Sequence, residues 1–491
     1  MTSQFLACDL GAESGRVMAG SLAGGKLTLE EVHRFSNPIV RLGNSLRWDI
    51  LRTFAELKDG LAKAAGRDIA ATSLSVDSWG VDYVWSGFGQ PMLAPAYIYR
   101  DARTDVTFPK TLAALGREKI FAATGIQFMS LNTIYQLVAD LETSPDLVRQ
   151  ADGFLCIADF LNFLFSGRRA AEESLASTTQ LYNPATRQWA WDLVESLGFP
   201  KSIFPEIVPS GTLLGPLASD VAAETGLKNV NVIATCSHDT GAAVAAVPAA
   251  NDSNWAFLSS GTWSLIGVEL DAPLLNDAAL EGNFTNEAGF GGTTRFLKNI
   301  VGLWILQECR REWARAGLEL GYAELNALAA EAPGLVTLID PKDPRFLKPG
   351  DMPAKIEQFA RETGQPVPAS PGAFTRAILE SLALLYREML EKIEQLTGRG
   401  IPTLHIVGGG SQSAILNQFS ANATGRNVLA GPVEATAIGN ILIQAIVSGA
   451  IPSITELRET VRNSFEIRRF TPASEAEWSA AARRFQTIGS R

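Results

Sequence analysis

Histidine and cysteine are scarce in this chain of 491 residues, with three of the first and four of the second. Cys8, Cys156, Cys236 and Cys309 stand far apart and form no CxxC pair, which argues against a disulfide framework and fits a reduced, cytoplasmic protein. No set of His, Cys, Asp and Glu has the spacing of a structural metal centre. Basic clusters are missing as well: 42 Lys and Arg face 52 Asp and Glu, for a formal charge of −10. With no local patch to offset that charge, nucleic acid is not an expected partner. The N-terminus lacks a basic segment followed by an apolar stretch and a cleavage site, and the longest apolar runs are broken by Ser, Gly, Asp or Asn. The expectation is therefore a protein neither exported nor membrane-spanning. A P-loop, GxxxxGK followed by Ser or Thr, occurs nowhere, and the protein-kinase motifs are absent too. Nor is there a low-complexity linker.

What is present points to two domains. With 46% hydrophobic and 19% charged residues, the chain can bury large cores and exceeds one core of ordinary size. Pro248 to Asn254 is the expected boundary, giving domains 1–247 and 248–491. Near the start, the apolar run Phe5 to Cys8 reads as a buried strand and ends in DLGAESGR, Asp9 to Arg16. Glycines in such a turn let backbone N–H groups face an anion, of which a phosphate is the obvious one. AFLSSGTWSLIGV, Ala256 to Val268, repeats the order of strand, small-residue turn and strand. Two such hairpins facing each other suffice to hold one nucleotide, although each alone also describes an ordinary surface hairpin.

Element order supports an α/β fold. Val17 to Ser21, a Gly24-Gly25 turn and Leu27 to Phe35 complete a three-stranded meander with the first strand. Asp49 then caps a helix with Ile50, Leu51, Phe54, Leu57 and Leu61 at helical spacing, and a strand from Ser73 to Asp77 follows. Strand, strand, strand, helix, strand is the order of a ribonuclease H-like core. The second hairpin, a helix from about Phe374 to Leu396, a strand Leu404 to Val407 and a helix from Ser411 repeat the architecture, in element order rather than in letters.

Phosphoryl transfer needs a phosphate cradle, a cation and a group that takes the proton of the attacking hydroxyl. For the last, CSHDTGAAV, Cys236 to Val244, places Asp239 where a strand-like run, Val230 to Thr235, gives way to a small-residue helix. The helix dipole there favours an anion, which suits a proton acceptor and equally suits a plain N-cap. His238, beside it, is assigned to substrate contact rather than proton transfer. Mg²⁺ is expected to arrive with the nucleotide, held partly by waters and through Asp9. LHIVGGGSQS, Leu404 to Ser413, is a strand leading through three glycines to a helix, compatible with an adenosine site and with a structural turn.

Taken together, these elements resemble the FGGY family of carbohydrate kinases. The resemblance runs through DLGAESGR, RWDI (Arg47 to Ile50), VDSWGVDY (Val76 to Tyr83), YRDARTD (Tyr99 to Asp105), GIQF (Gly125 to Phe128) and NTIYQL (Asn132 to Leu137). It continues in SHDT (Ser237 to Thr240), LSSGTWSL (Leu258 to Leu265), FLKNIVGLWILQ (Phe296 to Gln307), DPRFLKP (Asp343 to Pro349), SLALLY (Ser381 to Tyr386), LHIVGGG and AGPVEATAIGN (Ala430 to Asn440). It implies two ribonuclease H-like, actin-like ATPase domains with an interdomain cleft that closes over a sugar and ATP. The first domain would bind sugar and carry one phosphate hairpin, the second the nucleotide and the other hairpin. ATP phosphates would contact Ala12, Glu13, Ser14, Gly15 and Arg16, with Thr262 on the opposing hairpin and Gln307 and Gly409 nearer the nucleoside. The sugar would contact Gly80, His238, Asp239, Thr240 and Asn299, and Asp239 falls on the family's proton acceptor.

Arg100 and Asp101 match a segment that meets the sugar in related kinases, though such a pair is also an ordinary surface salt bridge. Many relatives carry hydroxyl residues where this chain has Ala12 and Glu13, and a Glu beside phosphates repels them unless it faces away or meets Mg²⁺. The implied reaction is ATP-dependent phosphorylation of a ketose, L-rhamnulose on O1, with L-fuculose or xylulose as alternatives. From another class, the fold also serves nucleotide-dependent sensors and filaments. The expected partners are a ketose and ATP, with neither nucleic acid nor membrane, and the chain a monomer or weak homo-oligomer.

Overall fold

Every residue from Phe5 to Leu10 is buried, because their strand runs through the middle of a sheet rather than along its edge. In the computed structural model, which describes residues 2–250 and 254–489, strand β1 (Ser3–Leu10) pairs antiparallel with β2 (Ser14–Ala23), which pairs antiparallel with β3 (Lys26–Ser36). The turn between β2 and β3 falls on Gly24 and Gly25, both with positive φ, and completes the expected meander. On its other side β1 runs parallel to β4 (Ala71–Asp77), reached through α1 (Ile50–Gly66). Asp49 caps α1 by accepting a hydrogen bond from Arg52 N.

The buried stripe of α1 is Ile50, Thr53, Leu57, Gly60, Leu61 and Ala64. Leu51, expected in that stripe, is 64% exposed, since one residue turns the helix by about 100°. With β5 (Thr212–Pro216) and β6 (Asn231–Ala234), the sheet order is β5-β6-β4-β1-β2-β3. Two helices of this region bear on function, α2 (Glu173–Ser177) and α3 (Asp239–Ala245).

A second sheet repeats the plan. Strand β7 (Trp255–Ser260) pairs antiparallel with β8 (Trp263–Leu270), while β9 (Thr294–Val301) leads into α4 (Trp304–Arg315). Helix α5 (Pro371–Thr397) begins with Ser370 as cap and Pro371 in the first turn, and ends at Gly398 with φ of 66°. It leads to β10 (Thr403–Val407), which runs parallel to β7. The helix expected from Ser411 starts later, as α6 (Ala414–Thr424), because Ser413 takes the cap position and accepts from Leu416 N; a short 3₁₀ turn, Gly409–Gln412, precedes it. Strand β11 (Asn427–Ala430) is parallel to β10. In both sheets an antiparallel hairpin is followed by a strand parallel to its first arm, so the chain carries two ribonuclease H-like units.

The first compact unit comprises residues 1–248, 269–296 and 435–464, and the second 249–268, 297–434 and 465–491. Of the expected boundary Pro248–Asn254, residues 251–253 lie outside the described residues. The core of the first unit gathers Leu6, Val17, Leu57, Leu61, Val76, Phe165 and Val232. Helix α7 (Ala435–Val447) closes this unit by packing on β1, β4 and α3. It does so through buried amides: Gln444 Nε2 donates to Leu6 O at 2.9 Å, and Gln444 Oε1 accepts from Ser73 Oγ at 2.6 Å. Where α7 meets α3, a Cβ on Gly439 would stand 1.9 Å from Ala242 O, so the contact requires glycine. Among the described residues, no helix is long and apolar enough to cross a membrane.

Candidate active site

The turn after β1 is held from outside. Asn37 N donates to Glu13 O at 3.0 Å and Asn37 Nδ2 to Gly11 O at 3.2 Å, while Gly11 N donates to Ser14 O at 2.9 Å. The Glu13 side chain is exposed, whereas Ala12 and Ser14 are half-buried. Gly15 owes its identity to packing, since a Cβ there would lie 2.2 Å from the Phe35 ring. Asp9 and Arg16 face each other across the hairpin and form an ion pair, Arg16 Nη2 on Asp9 Oδ2. The cation expected to meet phosphate and the carboxylate expected to meet Mg²⁺ are thus one pair. Among the described residues, no group of three or more His, Cys, Asp or Glu could hold a metal ion. A single carboxylate such as Asp9 fits Mg²⁺ of the kind that takes most of its ligands from phosphates and water.

In the second unit the turn between β7 and β8 is stitched to the start of α4. Thr262 O accepts from Gly302 N at 3.1 Å and Trp304 N at 3.2 Å, and Gly261 O from Leu303 N at 3.0 Å. Gln307 lies in the first turn of α4, and its Oε1 is buried with no hydrogen-bond partner. The three glycines after β10 differ in their reasons. Gly408 has φ of 80°, and a Cβ on Gly410 would sit 2.0 Å from Ser260 Oγ, but nothing lies within 4 Å of a Cβ on Gly409. Backbone and packing therefore dictate the outer two glycines, and the middle one opens onto free space that suits a ligand. Asn299, on β9, also falls in the second unit.

The residues expected to serve the sugar and the proton transfer, Gly80, His238, Asp239 and Thr240, fall in the first unit. Their two loops are zipped together: Ser78 N donates to Ser237 O and Asp239 N to Ser78 O, both at 2.9 Å. The N-cap of α3 is His238, and Asp239 is its first helical residue. Asp239 Oδ1 accepts from Thr240 N at 2.6 Å and Thr240 Oγ1 at 3.2 Å, leaving the side chain 31% exposed. Burial raises its carboxyl above the ordinary carboxylate range, and His238 and Thr240 oppose that shift. His238 Nε2 stands 3.4 Å from Asp239 Oδ1, while Nδ1 meets Arg295 Nη2 at 3.2 Å and Glu287 Oε2 at 3.4 Å. Arg295 is fully buried and itself pairs with Glu287 at 3.2 Å, so a buried ion pair fixes which ring edge faces Asp239.

One acidic neighbour went unnoticed in the sequence. Asp77, fully buried, stands opposite Asp9 in the β1–β4 register and accepts at Oδ2 from Asn440 Nδ2 at 2.6 Å. Burial, followed by the charge of Asp9, holds its carboxyl well above the ordinary range despite Asn440. Asp101 is occupied with backbone, accepting from Leu46 N at 2.7 Å and Arg103 N at 3.0 Å, and Arg100 lies over the Tyr99 ring at 5.3 Å.

Below Gly80, buried Asp82 gathers Trp48 Nε1 at 2.6 Å, Trp79 Nε1 at 3.0 Å, Tyr99 N at 3.1 Å and Gln136 Nε2 at 3.1 Å. Burial outweighs these donors and pushes its pKa up to about 6 from an ordinary 3.8. A carboxyl raised in this way keeps in the fold a proton that the unfolded chain has released. Its contribution to stability is therefore fullest below pH ~4 and declines by about 3 kcal/mol as pH rises to ~6. Denaturant titrations from pH 4 to 8 should show that decline in the native protein and its loss in Asp82→Asn; an equal slope in both would refute it.

Residues 6–246 match the N-terminal domain, and residues 256–448 the C-terminal domain, of the FGGY family of carbohydrate kinases. The chain belongs to this family. This FGGY kinase is similar to a protein named rhamnulokinase from Bacteroides thetaiotaomicron, with 41% identity over 481 residues and 98% of each chain covered. It is also 41% identical over 462 residues to a rhamnulokinase of Oceanobacillus iheyensis, covering 94% of this chain and 97% of that one. Among solved structures, a gluconate kinase from Lactobacillus acidophilus superposes with a TM-score of 0.84 at 14% identity, covering 100% of this FGGY kinase and 98% of that chain. At that identity the likeness speaks for the fold alone.

Proposed function

We propose that this FGGY kinase transfers the γ-phosphoryl group of ATP to O1 of L-rhamnulose, giving L-rhamnulose 1-phosphate and ADP. The reading is carried by the rhamnulokinase relatives, similar at about two residues in five across nearly their whole length. Asp239 supports it with a partly exposed carboxylate at the start of α3, beside His238. In the reaction Asp239 accepts the O1 proton as the bond to phosphorus forms, while Gly80, His238, Thr240 and Asn299 orient the sugar.

Ala12 to Arg16 and Thr262 meet the phosphates, with Gln307 and Gly409 on the nucleoside, and Asp9 is the residue for Mg²⁺. That ion, when bound, neutralises phosphate charge. Residues 1–247 thus carry the sugar contacts and residues 248–491 the nucleoside, with Asn299 the exception. A coupled assay across L-rhamnulose, L-fuculose and xylulose tests the substrate: the highest kcat/KM should fall on L-rhamnulose, and a preference for another ketose overturns the reading.

Two further outcomes are expected. Because the Asp239 carboxyl is raised, the acid limb of kcat/KM should lie above pH ~4, with rate increasing as pH rises through that limb. Thr262→Val should weaken ATP binding, with sugar binding unaltered, because only the phosphate turn changes; calorimetric titration showing the reverse order would count against the assignment.

A further inference from the structure

Val81 is a β-branched residue with φ of 70°, lodged between Gly80 and the buried hub Asp82. Asp82 N donates to Gly80 O at 3.0 Å, so the three residues form a γ-turn of the rare, strained hand. Such a backbone persists only where its surroundings over-determine it. Here Thr178 Oγ1 accepts from Val81 N at 3.2 Å, and Val81 O accepts from Thr133 Oγ1 at 2.7 Å and Gln136 Nε2 at 3.3 Å. Thr178 also explains the glycine: a Cβ on Gly80 would stand 2.8 Å from its Oγ1.

The same short stretch holds the loop of Asp239. Glu172, fully buried, collects five donors: Ser174 N, Ser174 Oγ, Leu175 N, Ser210 Oγ and Ser237 N. Ser237 N reaches it across 65 residues of sequence at 3.0 Å, and Ser174 Oγ in turn accepts from His238 N at 3.1 Å. Ser174 packs against Gly241, whose Cβ position lies 3.4 Å from Ser174 Cβ, so α3 is located from below as well as by its cap.

We infer that the segment Glu172–Thr178 is a template that sets the sugar loop and the proton-acceptor loop against each other, with Thr178 and the Glu172–Ser174 pair as positioning residues. The inference rests on the proposed roles of Gly80 and Asp239. It predicts separable kinetic signatures, since outside their own segment Thr178 Oγ1 bonds Val81 N of the sugar loop and Ser174 Oγ bonds His238 N of the base loop. Thr178→Val keeps the shape and removes the acceptor for Val81 N. It should raise KM for the ketose about tenfold with kcat and KM for ATP within about twofold, and Thr178→Ser should restore the native value. Ser174→Ala should lower kcat about tenfold with both KM values nearly unchanged.

Hydrogen exchange provides a readout that does not depend on turnover: the Val81 amide should lose protection in Thr178→Val and the His238 amide in Ser174→Ala, each without the other. If the native protein phosphorylates no ketose of the panel, the functional reading falls while exchange still decides the template. The template is overturned if both variants shift both KM values alike, if they lower only the melting temperature, or if the two amides remain as protected as in the native protein.

Discussion

Asp239→Asn should fold, bind sugar and lose turnover by roughly 10³-fold, about 4 kcal/mol in the barrier. The amide retains an oxygen for Thr240 N and Thr240 Oγ1, which the carboxylate now serves at 2.6 and 3.2 Å, but it cannot take a proton from a hydroxyl. Stability should be little changed. The side chain is 31% exposed, and a neutral group escapes the burial that raises the carboxyl. Steady-state kinetics alongside sugar titration calorimetry separate the two effects, and a variant with near-native kcat would remove Asp239 from the chemistry.

Gly439→Ala should be the most damaging glycine-to-alanine change among the described residues. Its Cβ would stand 1.9 Å from Ala242 O and 2.6 Å from Ala242 C, atoms of backbone that cannot swing aside as a side chain can. Relief requires α7 to move off α3, and we expect a loss of ~3 kcal/mol, or roughly 5 °C in melting temperature for a unit of this size. Since α3 begins with Asp239, kcat should fall with it. The same substitution at Gly66, the last residue of α1, meets nothing within 4 Å and should stabilise by up to about 1 kcal/mol through helix propensity. Calorimetry on the two variants gives opposite signs if packing is the cause; two equal losses would not fit this account.

Much of the fold could be read from the residues because local chemistry governs it. The meander follows from its strands and a Gly-Gly turn, and Asp49 marks a helix start by its own hydrogen bonding. Of the residues expected at the site in the first unit, Gly80 follows a loop that Ser78 bonds to Ser237 O and Asp239 N, while His238 caps α3 and Asp239 and Thr240 open it. What stayed hidden depends on partners distant in sequence. Nothing local to Glu172 tells that Ser237 N will donate to it, and nothing near His238 announces the buried pair Glu287 and Arg295. The one available signal was compositional: Ser174, Ser177, Thr178 and Thr179 crowd a short stretch after two glutamates, more hydroxyls than a surface turn needs. Leu51 was misplaced for a different reason, because an apolar residue at the edge of a stripe is indistinguishable by spacing from one within it.

The late arrival of α7 has a bearing on how the protein is made. Asp77 and the amide that bonds it, on Asn440, are 363 residues apart, a gap that a ribosome working at about 5–20 residues per second takes roughly 20–70 s to cross. Through that interval the face of β1 and β4 that α7 will cover, Leu6 O and Ser73 included, emerges without its lid. The half of the enzyme translated first is therefore among the last to be finished, and a nascent chain stalled before residue 435 exposes the very strands that carry Asp9 and Asp77 to whatever chaperone or neighbouring chain reaches them.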